Sequence, residues 1–260
     1  MEKYWKKQKP GQPLFPNTVW EKPERKVGKI ALIGGNKNGF SAVTAAYQTA
    51  QNIGVAQVKV VLPDALKSRI PSGILDINFA ESNPSGGLAR GALDQLRAAT
   101  DFADNTILIG DSGANAETAA LFEEFLCAET ENDITITRDA VDLLVNASEA
   151  ILAQPNVHWV LSLSQFQKIT RAVYYPRVVT FSQGAEQIAE TLHKFSLTYP
   201  AMITLWHDEQ IFFTRNGAVY SQDFKQPMRV WSGEVVVRGA VWRTWQPDPA
   251  KAILASWTEL

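Results

Sequence analysis

The feature that most constrains this chain is a recurring unit: a short apolar run, a glycine-rich or polar turn, then a stretch with helical spacing. Its first instance is Lys29-Ile30-Ala31-Leu32-Ile33-Gly34-Gly35, followed by a turn to Phe40 and an alanine-rich stretch from Ser41 to Asn52. A second apolar run, Val55 to Leu62, is closed by Pro63. Short runs that are apolar at nearly every residue fit strands covered on both faces, as in a parallel sheet. Gly54 stands where a helix would stop. Strand, helix and parallel strand in this order make a right-handed crossover.

The unit repeats. Thr106 to Ile109 reads as a strand ending at Gly110, and Asp111-Ser112-Gly113-Ala114-Asn115 is a turn into a helix from Ala116 to about Ala128. Asp133 to Thr137 is the next strand, with a helix beginning over Ala140 to Leu144. Val157 to Leu163 and Val178 to Phe181 read as strands, and Gly184 to Phe195 as a helix. Strands alternating with helices predict an α/β fold of three layers, α/β/α, around a mostly parallel sheet. The later part differs: Ala201 to Leu205, Gln210 to Thr214 and Val219 to Ser221 read as short strands, with Asn216-Gly217 as a hairpin turn, so antiparallel strands are expected there. Val235 to Trp245 reads as a helix. A last one runs from Pro249 to Thr258, with Asp248 as its N-cap. Residues 71–92, rich in Gly and Pro, read as a long connection, either a loop near the site or a surface excursion.

Residues 1–28 hold four prolines among charges and aromatics and read as an extended arm that packs through Trp5, Phe15 and Trp20. Residues 29–260 then form a single domain, for which 45% hydrophobic content supplies a full core. The arm and its junction are locally basic (Lys3, Lys6, Lys7, Lys9, Lys22, Arg25, Lys26, Lys29) and read as a solvated face or an anion-binding one. The whole chain is balanced, with 25 basic and 27 acidic residues, which gives no reason to expect nucleic acid or an anionic membrane as partner. No signal-peptide core is visible, and no stretch approaches the ~18 apolar residues that span a bilayer, so the expected compartment is the cytoplasm. The lone Cys127 lies in an apolar helical run and reads as a buried thiol. His158, His193 and His207 show no ligand spacing with one another or with Cys127, so no zinc site is expected. No Gly-x-Ser-x-Gly elbow occurs.

From about Lys26 onward, the order of elements and their junctions resembles the ADP- or ATP-dependent NAD(P)H-hydrate dehydratases of the ribokinase-like superfamily. The first junction, Ile33-Gly34-Gly35-Asn36 leading to Phe40-Ser41-Ala42, matches the family's opening turn, where a helix N-terminus offers N–H groups to a ligand. The family's Ile-Gly-Pro-Gly-Leu-Gly loop has Ile109-Gly110-Asp111-Ser112-Gly113-Ala114 as counterpart. Its Asp-Ala-Asp-Ala-Leu strand end corresponds to Thr137-Arg138-Asp139-Ala140-Val141, where Asp139 is an N-cap or a site residue. A Thr-Pro-His-Pro-Gly-Glu stretch is replaced by Leu161 to Phe166, and a Lys-Gly pair by Trp206-His207. The family's Gly-x-Gly-Asp, an anion hole with a general base, becomes Trp231-Ser232-Gly233-Glu234, after a Gln226-Pro227-Met228 that supports the register.

The resemblance implies a ribokinase-like fold and a cleft lined by Gly34, Gly35, Asn36, Gly110, Asp139, Ser232, Gly233 and Arg238, with Glu234 as base. It implies ADP or ATP as cofactor with Mg2+, hydrated NAD(P)H as substrate, nucleotides as small-molecule partners, and homo-oligomeric relatives. The family reaction phosphorylates the hydrate's hydroxyl and then expels phosphate. Four of six junctions have lost groups of the family pattern. Glu234 carries one methylene more than aspartate, which displaces its oxygens by about 1 Å and can cost on the order of a hundredfold in rate. Trp231 puts a bulky side chain where backbone must come close. Arg238 either contacts phosphate or pairs with Glu234 at i, i+4. Three functions stay open: a divergent dehydratase, a non-catalytic relative that binds a nucleotide or a protein, and a kinase for another small hydroxylated molecule.

Overall fold

A computed structural model describes residues 3–70, 76–128 and 131–258. Among these, ten strands form one sheet: β1 (Trp5–Gln8), β2 (Val27–Gly34), β3 (Val55–Pro63), β4 (Ile77–Ala80), β5 (Asn105–Gly110), β6 (Asp133–Thr137), β7 (Val157–Ser162), β8 (Met202–His207), β9 (Gln210–Arg215) and β10 (Ala218–Asp223). Their spatial order is β1-β10-β9-β8-β7-β6-β5-β2-β3-β4. Every neighbouring pair is parallel except those made by β9, which runs against both β8 and β10. The hairpin turn between β9 and β10 is where Asn216-Gly217 predicts it, with φ of 49° and 78°.

The helices are α1 (Pro16–Val19), α2 (Ser41–Ile53), α3 (Leu93–Phe102), α4 (Ala116–Leu126), α5 (Asp139–Leu143), α6 (Ser148–Leu152), α7 (Leu163–Ala172), α8 (Ala185–Thr198), α9 (Pro227–Trp231), α10 (Glu234–Trp245) and α11 (Pro249–Trp257). Successive residues of β2 divide between the two layers: Ile30 and Leu32 join the core under α2, α10 and α11, while Ala31 and Ile33 join the core under α3, α4, α7 and α8. This alternation explains why β2 is apolar at each position. Helix α2 buries Ala42, Val43, Ala46, Ala50 and Ile53, the stripe that its spacing predicts, and ends at Gly54.

Several sequence expectations need correction. Residues 71–92 are not one loop, because Ile77–Ala80 adds the edge strand β4 beside β3 and Arg90–Ala92 forms a 3₁₀ turn; Pro71 and Gly73 lie outside the described residues. Val178 to Phe181 is not a strand: it crosses the surface before α8, with Val178 and Phe181 exposed. Cys127 is the exposed C-cap of α4, not a buried thiol, since the helical stripe ends one residue before it. In the arm, Trp5 and Phe15 pack on the body, but Trp20 is 86% exposed. Helix α7 escaped notice because β7 hands over to it without a glycine. Ser162 caps it through the Gln165 N–H, while the Gln165 side chain accepts from the Ser162 N–H.

Candidate functional site

Chain order sends β2, β3 and β4 outward in one direction and β5 to β8 in the other, so the crossovers diverge between β2 and β5. In open α/β sheets that divergence opens a crevice at the strands' carboxyl ends. Gly34 and Gly110 end the two strands there, and the Gly35 N–H donates to the Gly110 carbonyl at 2.9 Å. A side chain on Gly34 would strike the Gly110 carbonyl, and one on Gly110 would come within 2.4 Å of Asp139 Oδ1. Gly110 also has φ of 94°, which disfavours any other residue.

Asp139 is the first residue of α5 rather than its N-cap; Arg138 holds the cap position with φ of 58°. The Asp139 Oδ2 accepts the Gly113 N–H at 2.9 Å and fastens the β5 loop to β6. Burial holds the Asp139 carboxyl above its ordinary pKa, partly offset by that hydrogen bond. Asn36 donates to the Asp111 carbonyl and receives the Asn38 N–H, so it shapes its own turn.

The start of α2 departs from expectation. Phe40 precedes the helix and has no side-chain oxygen, so Asp111 caps it from the neighbouring loop: its Oδ2 accepts the Ala42 N–H at 2.8 Å and the Ser41 hydroxyl at 3.2 Å. The carboxylate of Asp111 thus already stands at the helix terminus where a ligand anion was expected. Its Oδ1 accepts from Arg138 Nη2 at 2.9 Å, and Arg138 Nη1 donates to the Trp231 carbonyl. Arg138 therefore spans the crevice, joining the β5 loop to the approach of α10.

Beside this tie lies a cavity of about 360 Å³ at the ends of β6 and β7, lined among others by Arg138, Asp139, Asp142, Ser162, Gln165 and Trp231. Its size falls within the usual range of small-molecule sites. Gln165 donates to the Arg138 carbonyl at 2.7 Å and to Asp142 at 2.9 Å, which fixes one wall. Trp231 is 46% exposed and meets Trp206 edge to face at 5.8 Å. Trp206 donates to the Phe224 carbonyl, and His207 contacts the Gln183 carbonyl through Nε2, so both stand in structural contacts where the family has Lys-Gly. A larger groove, about 810 Å³, runs between β1 and α8, but it lies at the β1 edge of the sheet, away from the crevice between β2 and β5.

Gly233 begins α10 with φ of 90°, and a side chain there would come within 2.9 Å of Ile109 Cδ1. The helix N-terminus therefore faces the end of β5. Ser232 spends its N–H on the Met228 carbonyl, and Gly233 spends its own on Val230, both closing α9. Glu234 turns to its own loop. Its carboxylate receives Arg229 Nε at 2.9 Å and Nη2 at 2.5 Å, and Arg238 Nε at 3.2 Å. Hydrogen bonding from Arg229, then from Arg238, lowers its pKa against the opposing effect of partial burial. The i, i+4 pairing is thus one role of Arg238, and neither Glu234 nor Arg238 lines the cavity at β6 and β7. Gly34, Gly35, Asn36, Gly110 and Asp139 are brought together, while Ser232, Glu234 and Arg238 flank the crevice.

Sequence reasoning missed Asp111, Arg138 and Gln165 as elements of the site, and read Trp231 there only as an obstruction. Only Gln165 carried a local signal, its place three residues after Ser162. Among the described residues no three acidic, histidine or cysteine side chains are grouped to hold a metal, and no helix is long and apolar enough to cross a membrane.

No family model and no curated protein sequence matches the chain. Solved structures do. A ribokinase-like superfamily protein from Enterococcus faecalis superposes with TM-score 0.73 at 11% identity, covering 99% of this chain and 86% of that one. The fold is ribokinase-like. The ADP/ATP-dependent NAD(P)H-hydrate dehydratase of Bacillus subtilis, co-crystallised with ATP and Mg2+ and soaked with CoA, matches with TM-score 0.62 at 13% identity over 94% of this chain and 85% of its own. A Staphylococcus aureus pyridoxal kinase in complex with AMP-PCP and pyridoxal reaches 0.57 at 10% identity, over 88% and 85%. At such identities, the ribokinase-like backbone is what the chain shares with them.

Proposed function

We propose that this chain is a divergent NAD(P)H-hydrate dehydratase-like protein that binds a phosphorylated nucleotide at the carboxyl ends of β5 to β7 without transferring its phosphoryl group. The observation that carries this reading is the state of Glu234. A general base needs an oxygen within reach of the proton it takes. Here both oxygens are engaged by Arg229, and one also by Arg238. The carboxylate is ionised but turned into an ion-pair cluster that sets the shape of the α9–α10 loop. Binding groups remain: the Arg138 guanidinium lines the cavity while paired with Asp111, so a phosphate would have to compete with that carboxylate for it, and Trp231 offers an aromatic face on which a base can stack. Mg2+ would enter only with the nucleotide's phosphates, since no protein cage for it stands among the described residues.

The second reading, a working dehydratase, is favoured by Gly233, which keeps the left-handed cap that lets the start of α10 approach β5. One experiment separates the two. The full chain is supplied with hydrated NADH and either ADP or ATP with Mg2+, and recovery of reduced-nicotinamide absorbance is followed; calorimetry with each nucleotide is run beside it. Heat of binding without turnover supports the proposal. Turnover that Glu234→Gln abolishes supports the dehydratase. No binding of ADP, ATP or NADH rejects both.

A further inference from the structure

The opposite end of the sheet holds charge that the cleft does not use. Helix α10 runs from Gly233, over the end of β5, to Arg243 in its last turn, where Arg243 Nη2 lies 2.5 Å from Asp133 Oδ1 at the start of β6. The Arg243 side chain is only 1% exposed. Around it, strand register sets polar residues side by side on the face that carries α10: Asn105 beside Asp133, and Thr135 beside His158, which pairs with Met202 of the α10 core. Arg215 ends β9 next to this row, near enough to act electrostatically on both Arg243 and Asp133.

The charges do not balance. Two guanidinium groups face one carboxylate, and His158, fully enclosed and bonded to Thr204 Oγ1 at 2.8 Å, stays neutral because burial pushes its pKa well below the ordinary value. The donors do not balance either. Arg243 Nε and Nη1, Arg215 Nε and Asn105 Nδ2 are buried and find no partner among the described residues. Asn105 Oδ1 already accepts from Thr135, so its amide nitrogen is aimed elsewhere. Unmet buried donors on a cation are costly, and a water supplies an acceptor but no charge.

We propose that Arg243, Arg215 and Asn105 bind a small monovalent inorganic anion of chloride size at the amino ends of β5 and β6 and the carboxyl end of β9. The ion supplies the missing negative charge, accepts from several donors at once, and fastens the last turn of α10 to the sheet. It is independent of any ligand in the cleft.

Thermal unfolding of the full chain in sodium chloride and in sodium gluconate at matched ionic strength tests this. Bound anion stabilises by RT ln(1 + [L]/Kd), so Tm should climb logarithmically in chloride once its Kd is passed and stay flatter in gluconate. Arg243→Met should abolish the chloride-specific rise. If that variant does not fold, Arg215→Met, on the less enclosed cation, should weaken apparent chloride affinity about tenfold, the loss of one charge-assisted hydrogen bond. Crystals grown in bromide should show an anomalous peak within hydrogen-bonding distance of the Arg243 guanidinium. Equal responses to the two salts, a chloride response unchanged in the folded variant, or ordered water in place of bromide would each overturn the proposal.

Discussion

The two ends of α10 make opposite use of the same chemistry. At its first turn, one carboxylate, Glu234, sits between two arginines whose side chains are 19–23% exposed, and solvent shares the work of balancing them. At its last turn, Arg243 meets one carboxylate, Asp133, with a second arginine near, and is closed off from solvent. An excess of positive charge is cheap where water reaches it and expensive where water does not. The first arrangement positions a loop; the second calls for a counter-charge.

The largest effect should come from uncovering the buried cation. Asp133→Ala leaves Arg243 without its carboxylate and should destabilise by on the order of 3 kcal/mol in urea unfolding. A double variant that also replaces Arg243 by Leu should recover part of that loss. A double variant no more stable than Asp133→Ala would erase the contrast between the two ends of α10.

Gly110→Ala probes the carboxyl-end crevice by sterics instead of charge. A positive φ and the contact with Asp139 Oδ1 should together cost about 2 kcal/mol, read by the same method. A neutral result would mean that the β5 loop is not fastened to β6 as described.

Glu234→Gln should cost only about 1 kcal/mol, because the arginines it releases can be hydrated. The sign with pH follows from its lowered pKa. The wild-type contribution is complete above the ordinary carboxylate value and disappears as pH falls through the depressed folded value. The variant should therefore lack that part of the acid-limb slope in a plot of Tm against pH. Retention of the full slope would remove Glu234 from its cause.

Asp139→Asn should have the smallest effect, because asparagine can still accept the Gly113 N–H while the buried charge is lost. The raised pKa of Asp139 makes its ionised form a burden on the folded state, one that grows as pH rises through the carboxylate range. The stability difference, variant minus wild type, should accordingly move in the variant's favour from pH 3 to pH 7, on the order of the ordinary carboxylate interval. A drift the other way would make Asp139 an ion-pair partner of Arg138 rather than a fastening for the β5 loop.

Local pattern carried most of the fold. The doubly buried β2, the stripe of α2 with its stop at Gly54, the Asn216-Gly217 turn and the Asp248 cap of α11 each rest on interactions within a few residues, and so they could be read directly. Strand β4 could not, because four residues beside a proline- and glycine-rich stretch gain their stability from pairing with β3. Cys127 was misread because helical spacing says which face a residue shares, not where the helix stops.

In the site the division is sharper. The glycines at 34, 110 and 233 were legible because backbone approach and left-handed φ leave a mark on residue type. What the polar groups do was not. Whether Glu234 faces a substrate or two arginines, whether Asp111 or a ligand caps α2, and whether Arg243 has water or none depend on partners up to 110 positions away, as with Arg243 and Asp133. A sequence sets the charge and reach of a side chain, and only packing in three dimensions sets its neighbours and its solvent, which together fix its pKa and its use.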